Sequence, residues 1–191
     1  MESLGEIKID VLEFFNSRDH LKVQRNKESH LVILDKLTNT YNVKIELDDD
    51  RNYHHCDRLA LFIHPEKGIV DHPTARDRYQ DHDVVQANGG KIWELFIALS
   101  DIGPYFTYYW NIRTAIGAGD NRDCNVKFKE GKDEDDTFIV KQCDSIINLI
   151  TESGFIHIDS EALQKNFDWV PKLNEEREGE VNLDHLLFGG Y

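Results

Sequence analysis

The sequence predicts an α+β fold: a mainly antiparallel sheet with an N-terminal amphipathic helix and C-terminal helices packed on it, in one domain over residues 1–191. Three observations carry that prediction. Apolar residues recur at helical spacing at the start of the chain. Two apolar runs separated by a tight break hold the aromatic centre of the sequence. Amphipathic helical patterns return only after residue 136, so the order is helix, strands, helices rather than alternating βαβ units.

Residues 3–24 read as the opening helix, with Leu4, Ile7, Val11, Phe14, Phe15 and Leu21 on one stripe. Ser3 followed by Glu6 makes a capping-box pattern. Leu31 to Leu34 fits a strand or a helical turn, and Tyr41, Val43, Ile45 and Leu47 alternate as in a half-buried strand. Leu59 to Ile63 is a continuous apolar run, the pattern of a strand buried on both faces. His64 to Gly68 reads as a turn, residues 71–83 as a polar loop, and Asn88-Gly89-Gly90 as a hairpin turn.

The centre is 91–113, which holds seven of the twenty aromatic residues. Residues 91–99 fit a strand or a helical face, but Ser100 to Pro104 is strong turn punctuation and favours a hairpin. In its second strand Phe106, Tyr108, Trp110 and Ile112 point one way, and Tyr105, Thr107, Tyr109 and Asn111 the other. A Gly-containing loop follows at 114–125, then a short strand at 126–128 and an acidic segment at 130–136. Ile139, Val140, Cys143, Ile146 or Ile147, and Ile150 fit a helix stopped at Ser153-Gly154. A third helix is capped by Asp159 or Ser160, a second acidic segment spans 175–180, and Leu183 to Phe188 is an apolar patch that docks.

Thirty-six acidic residues against 22 basic ones give a net charge of −14. That disfavours nucleic acid, where affinity comes from neutralising phosphates, and anionic membranes for the same reason. It is compatible with a basic protein partner, with divalent cations, or simply with solubility, the commonest reason for such a balance. No apolar run has the length of a membrane-spanning helix, and the first residues lack the pattern of a secretory signal. The three cysteines, Cys56, Cys124 and Cys143, are odd in number and far apart, which fits thiols in a reducing cytoplasm.

The sharpest chemical candidate is a histidine- and aspartate-rich stretch at 54–83. His64, His72 and His82 are its candidate metal ligands, since imidazole and carboxylate suit zinc and related divalent metals. The same groups would serve acid–base hydrolysis. Their spacing matches no H-E-x-x-H or C-x-x-C signature, and Gly117-Ala118-Gly119 lacks the rest of a phosphate loop. No cofactor is expected beyond that candidate metal. Capping and solvent-facing roles in loops are the structural alternative.

In size, acidity and lack of a catalytic motif the chain resembles the small acidic immunity and antitoxin proteins that bacteria use to block a basic toxin. The resemblance is one of type and carries over no family residues. It implies occlusion of a basic partner. Asp133, Glu134, Asp135 and Asp136, or Glu175 and Glu176, would face its Lys and Arg residues, and Tyr105 and Tyr109 would supply aromatic contact. A metal-dependent or acid–base hydrolase, and a structural domain with no site, are the competing expectations.

Overall fold

A computed structural model describes residues 4–17, 20–48, 56–71, 78–129, 137–164 and 182–189. Two helices open the chain, α1 (Leu4–Ser17) and α2 (His20–Tyr41). Strands β1 (Glu46–Asp48), β2 (Cys56–His64) and β3 (Gly68–Val70) follow, then α3 (Arg78–Ala87). The central hairpin is β4 (Lys91–Ser100) and β5 (Tyr105–Ile116), and β6 (Asp123–Lys129) returns beside it. Helix α4 (Thr137–Glu152), strand β7 (Ile156–His157) and the short helices α5 (Ser160–Leu163) and α6 (Leu183–Phe188) complete the order.

The result is α+β, as the sequence predicts. The strands form one sheet in the order β1-β2-β4-β5-β6, with β3 also on β2 and β7 also on β5. Every pairing is antiparallel except β5 with β7. The hairpin register sets Leu95 opposite Trp110 and Phe96 opposite Tyr109, and β2 sets Leu61 opposite Leu95. Directly paired residues share a face, so the alternation read from the sequence becomes two distinct surfaces.

The first face carries Leu59, Leu61, Ile63, Trp93, Leu95, Ile97, Leu99, Phe106 and Trp110. Helix α2 covers it with Ile33 and Leu37, and α4 covers it with Ile139, Cys143, Ile146 and Ile150. Both sets recur at three and four residues, which puts each on one stripe of its helix. Each fully buried Leu or Ile is worth about 1.5–3 kcal/mol, so this layer is the main source of stability.

The second face is covered in two places. Ile7 and Val11 of α1, Leu163 of α5 and the buried side of α6 pack over Cys56, Ala98 and Tyr105. Val85 of α3 packs over Phe62 and Ile92 at the other end. The turn between β4 and β5 is tight because Gly103 has no side chain. A Cβ there would lie 2.5 Å from the Tyr105 ring.

The opening 3–24 stretch is helical where it is described, over Leu4–Ser17 and again from His20 onward. Three sequence expectations need correction. The 30–37 segment is helix, and helix continues to Tyr41, so the alternating 41–47 pattern yields only a three-residue strand at Glu46–Asp48. Ile33, Leu34 and Leu37 can be buried together on a helical stripe, which outweighs the alternation downstream. Val84 and Val85 belong to α3, and that helix starts inside the expected 71–83 loop. The Gly117 region is a short reversal between β5 and β6, where a Cβ on Gly117 would overlap the Asn121 carbonyl.

Candidate functional site

Two buried ionic nodes and one half-buried aromatic pair are the chemically distinctive features. The first node forms because His30 lies one turn before Ile33 on the apolar stripe of α2, and Asp57 lies two residues before Leu59 on the first face of β2. Packing the helix on the sheet brings them together. His30 Nδ1 is 2.7 Å from Asp57 Oδ2, and Nε2 is 3.2 Å from the Ser100 carbonyl. Both ring nitrogens therefore face acceptors. Asp101 Oδ1 lies 3.9 Å from His30 Nδ1, while the Asp101 carbonyl accepts from Asn26.

One ligand atom from each of His30, Asp57 and Asp101 lies within 4.8 Å of the other two, and all three residues are buried. This donor set suits a divalent cation. It serves equally as a lock between α2 and the strand ends, since a buried charge must be paired. The sequence reading missed His30 because its segment was open between strand and turn. The available signal was a polar residue standing in each of two apolar stripes.

The second node is on the opposite face, under α3. Arg113 Nε donates to Glu94 Oε2 at 2.6 Å, and Nη1 donates to Asp81 Oδ2 at 2.8 Å. Asn111 Nδ2 donates to the same Glu94 oxygen at 3.3 Å. Glu94 has no exposed surface, and Arg113 and Asp81 are buried. The guanidinium thus ties β4, β5 and α3 together. Beside it, Asp83 Oδ1 is 3.3 Å from His82 Nδ1 and accepts from Arg122 at 3.2 Å. The buried Nε2 of His82 has no hydrogen-bond partner among the described residues.

The candidate metal ligands His64, His72 and His82 are not brought together among the described residues. His64 ends β2, and its Nδ1 accepts from the backbone N–H groups of Glu66 and Lys67 at 3.0 and 3.1 Å. It caps the following turn, which uses the lone pair a metal would need. His82 sits on α3, and His72 lies outside the described residues. Among the described residues the three-ligand cluster is instead His30, Asp57 and Asp101.

The two tyrosines expected at a partner surface part company. Tyr105 is only 1% exposed, and its hydroxyl donates to Asp10 Oδ2 at 2.7 Å, so it joins β5 to α1 and offers no contact surface. Tyr109 is half-buried and stacks on Phe96, with centroids 5.0 Å apart and planes at 10°. Asp133 to Asp136, Glu175 and Glu176 lie outside the described residues.

Burial sets the chemistry of the cysteines. None is in a disulfide. Burial pushes the Cys56 thiol up to about 12, outweighing the opposing effect of Arg58, and its Sγ donates to the Phe188 carbonyl. Cys124, half-buried, is also raised by burial, with Asp81 adding to the effect. Neither has the lowered pKa of an activated nucleophile. Among the described residues, no helix is long and apolar enough to cross a membrane.

No family model, curated protein or solved structure matches this chain. The functional reading therefore rests on the chain's own geometry and charge.

Proposed function

We propose that this chain is an acidic protein-binding module that docks a basic protein partner, in the manner of the immunity proteins it resembles in size and charge. The observation that supports it best is the Phe96–Tyr109 pair. Both rings are half-buried and stacked, and they belong to neither of the apolar clusters on the second face of the sheet. A rigid, half-buried aromatic is the usual form of an interface anchor. The net charge of −14 would speed the approach of a basic partner and disfavour nucleic acid. In this reading Tyr109 inserts into the partner while acids such as Asp133 to Asp136 face its basic rim. Three cysteines outside disulfides fit the cytoplasm as the place of action.

The test is capture from a low-salt lysate of the source cells by wild type and Tyr109→Ala in parallel. Wild type should retain a basic protein and lose it at high salt, where exposed charges are screened. Tyr109→Ala should lose it while still folding. Equal retention by the variant, or capture of acidic proteins only, would refute the reading.

A second reading, a metal-dependent enzyme, is favoured by the cluster of ligand atoms in His30, Asp57 and Asp101. Metal analysis of protein purified without chelator decides it. A stoichiometric divalent metal that His30→Ala abolishes supports this reading, and metal-free folded protein rejects it.

A further inference from the structure

We infer that the outer edge of β6 is a self-pairing surface, through which two copies of this chain join antiparallel into one continuous sheet. Strand β6 ends the strand order, and no other strand pairs with its outer side among the described residues. Asp123, Asn125, Val126 and Lys127 are exposed along it, Val126 by 45%. An open edge of this kind presents unpaired backbone groups to any strand that fits.

Two hydrogen bonds show which groups point outward. The Ala115 N–H bonds to the Gly90 carbonyl, on the β4 side of β5. Groups along a strand alternate in direction, so Ile112, Thr114 and Ile116 turn toward β6, where they meet Lys127, Asn125 and Asp123. Cys124 and Val126 therefore turn their N–H and C=O groups away from the sheet. In agreement, the Cys124 N–H is bound at 2.8 Å by the Asp123 carboxylate, a side chain capping an edge.

The order of side chains fits a second copy of the same strand. With a two-fold axis at Asn125, Asp123 lies opposite Lys127 of the second copy, Cys124 opposite Val126, and Asn125 opposite itself. Each end of the interface then carries one acid against one base, which stabilises a directly opposed pair. The paired strip is locally neutral although each chain carries −14. Parallel in-register pairing would instead oppose like charges. Lys127, which pairs with no acid among the described residues, blunts the edge of a single chain and gains a partner in the pair. Cys124 and Val126 exchange backbone hydrogen bonds with their counterparts, and the Asp123 carboxylate moves from the Cys124 N–H to the lysine of the second copy. Such an interface is isologous and closes on itself.

Sedimentation equilibrium of the full chain, from micromolar to millimolar, tests this. The mass should rise from 22.2 kDa toward twice that value. Val126→Pro removes an outward N–H that β5 does not use, so the fold should persist and the dimer should vanish. Asp123→Lys and Lys127→Asp should each weaken association about tenfold or more, and the double exchange should restore it. Asn125→Cys combined with Cys124→Ser should form a disulfide dimer on mild oxidation, because non-hydrogen-bonded opposed residues lie about 4.5 Å apart. A monomer at every concentration overturns the proposal. So does a dimer that survives Val126→Pro, or a charge exchange that fails to rescue.

Discussion

Trp110 shows how one side chain can be both the largest asset of the core and an imperfect fit. It is fully buried in the layer between the sheet and helices α2 and α4, yet its indole Nε1 has no hydrogen-bond partner among the described residues. Trp110→Ala should cost about 3–5 kcal/mol through the cavity it leaves. Trp110→Phe should cost much less, because it keeps most of the ring and removes a donor that gains nothing from burial. Urea melts of the three proteins check the order, and a Phe variant as unstable as the Ala variant would show that the indole is bonded. Cys56 adds a pH effect. Its folded thiol is held at about 12 against an ordinary 9.0, so the folded state keeps a proton that the unfolded chain loses between those values. Stability is therefore unaffected below pH 9 and declines as pH rises toward 12. At pH 8 a thiol reagent should label half-buried Cys124 first and reach buried Cys56 and Cys143 only on unfolding. Fast labelling of all three in the native protein would contradict this burial.

At the scale of elements, what could be read from the sequence depended on whether one periodicity stood alone. Strand β2 and helix α4 were legible because an unbroken apolar run and a clean helical stripe were each read one way, and the central hairpin because the turn at 100–104 tipped the two-way pattern of 91–99 toward a strand. The 30–47 stretch offered two periods, and only tertiary packing of Ile33 and Leu37 decides between them. Helix α3 was hidden because its first turn is polar and its buried side is largely ionic. The ionic nodes could not be read at all, since His30 and Asp57 meet only when a helix crosses a strand. Likewise the turn after β2, not a metal, explains His64. Helix α6 carries its own prediction. Ser100 Oγ donates to the Leu187 carbonyl at 2.7 Å and accepts from the Ile102 N–H at 3.2 Å. Ser100→Ala should cost about 1–3 kcal/mol by stranding both groups. Hydrogen exchange should then quicken first in α6, and uniform quickening across the sheet would show that Ser100 does not hold that helix.

For the molecule as a whole, the two nodes raise the question of whether one end of the sheet senses the other. The His30–Asp57 contact reaches the sheet near Ser100, at the end of β4, and Arg113 reaches it at Glu94. Six residues of extended strand separate those points by about 20 Å, and the nodes sit on opposite faces. Nothing polar is needed between them, because the intervening Leu95, Ile97 and Leu99 are fully buried in one apolar layer. Perturbations this far apart, with no shared partner, normally add within about 0.5 kcal/mol. Deleting either charge outright could consume most of the roughly 5–15 kcal/mol that holds a domain, so conservative variants are the better probes. His30→Asn and Glu94→Gln each keep a polar group in place and should each cost about 1–3 kcal/mol. Their double variant should lose the sum, with the urea dependence unchanged, as one cooperative unit requires. A coupling above about 1 kcal/mol would mean that the apolar layer shifts when either node changes. Ligand binding at one end of the sheet could then be felt at the other.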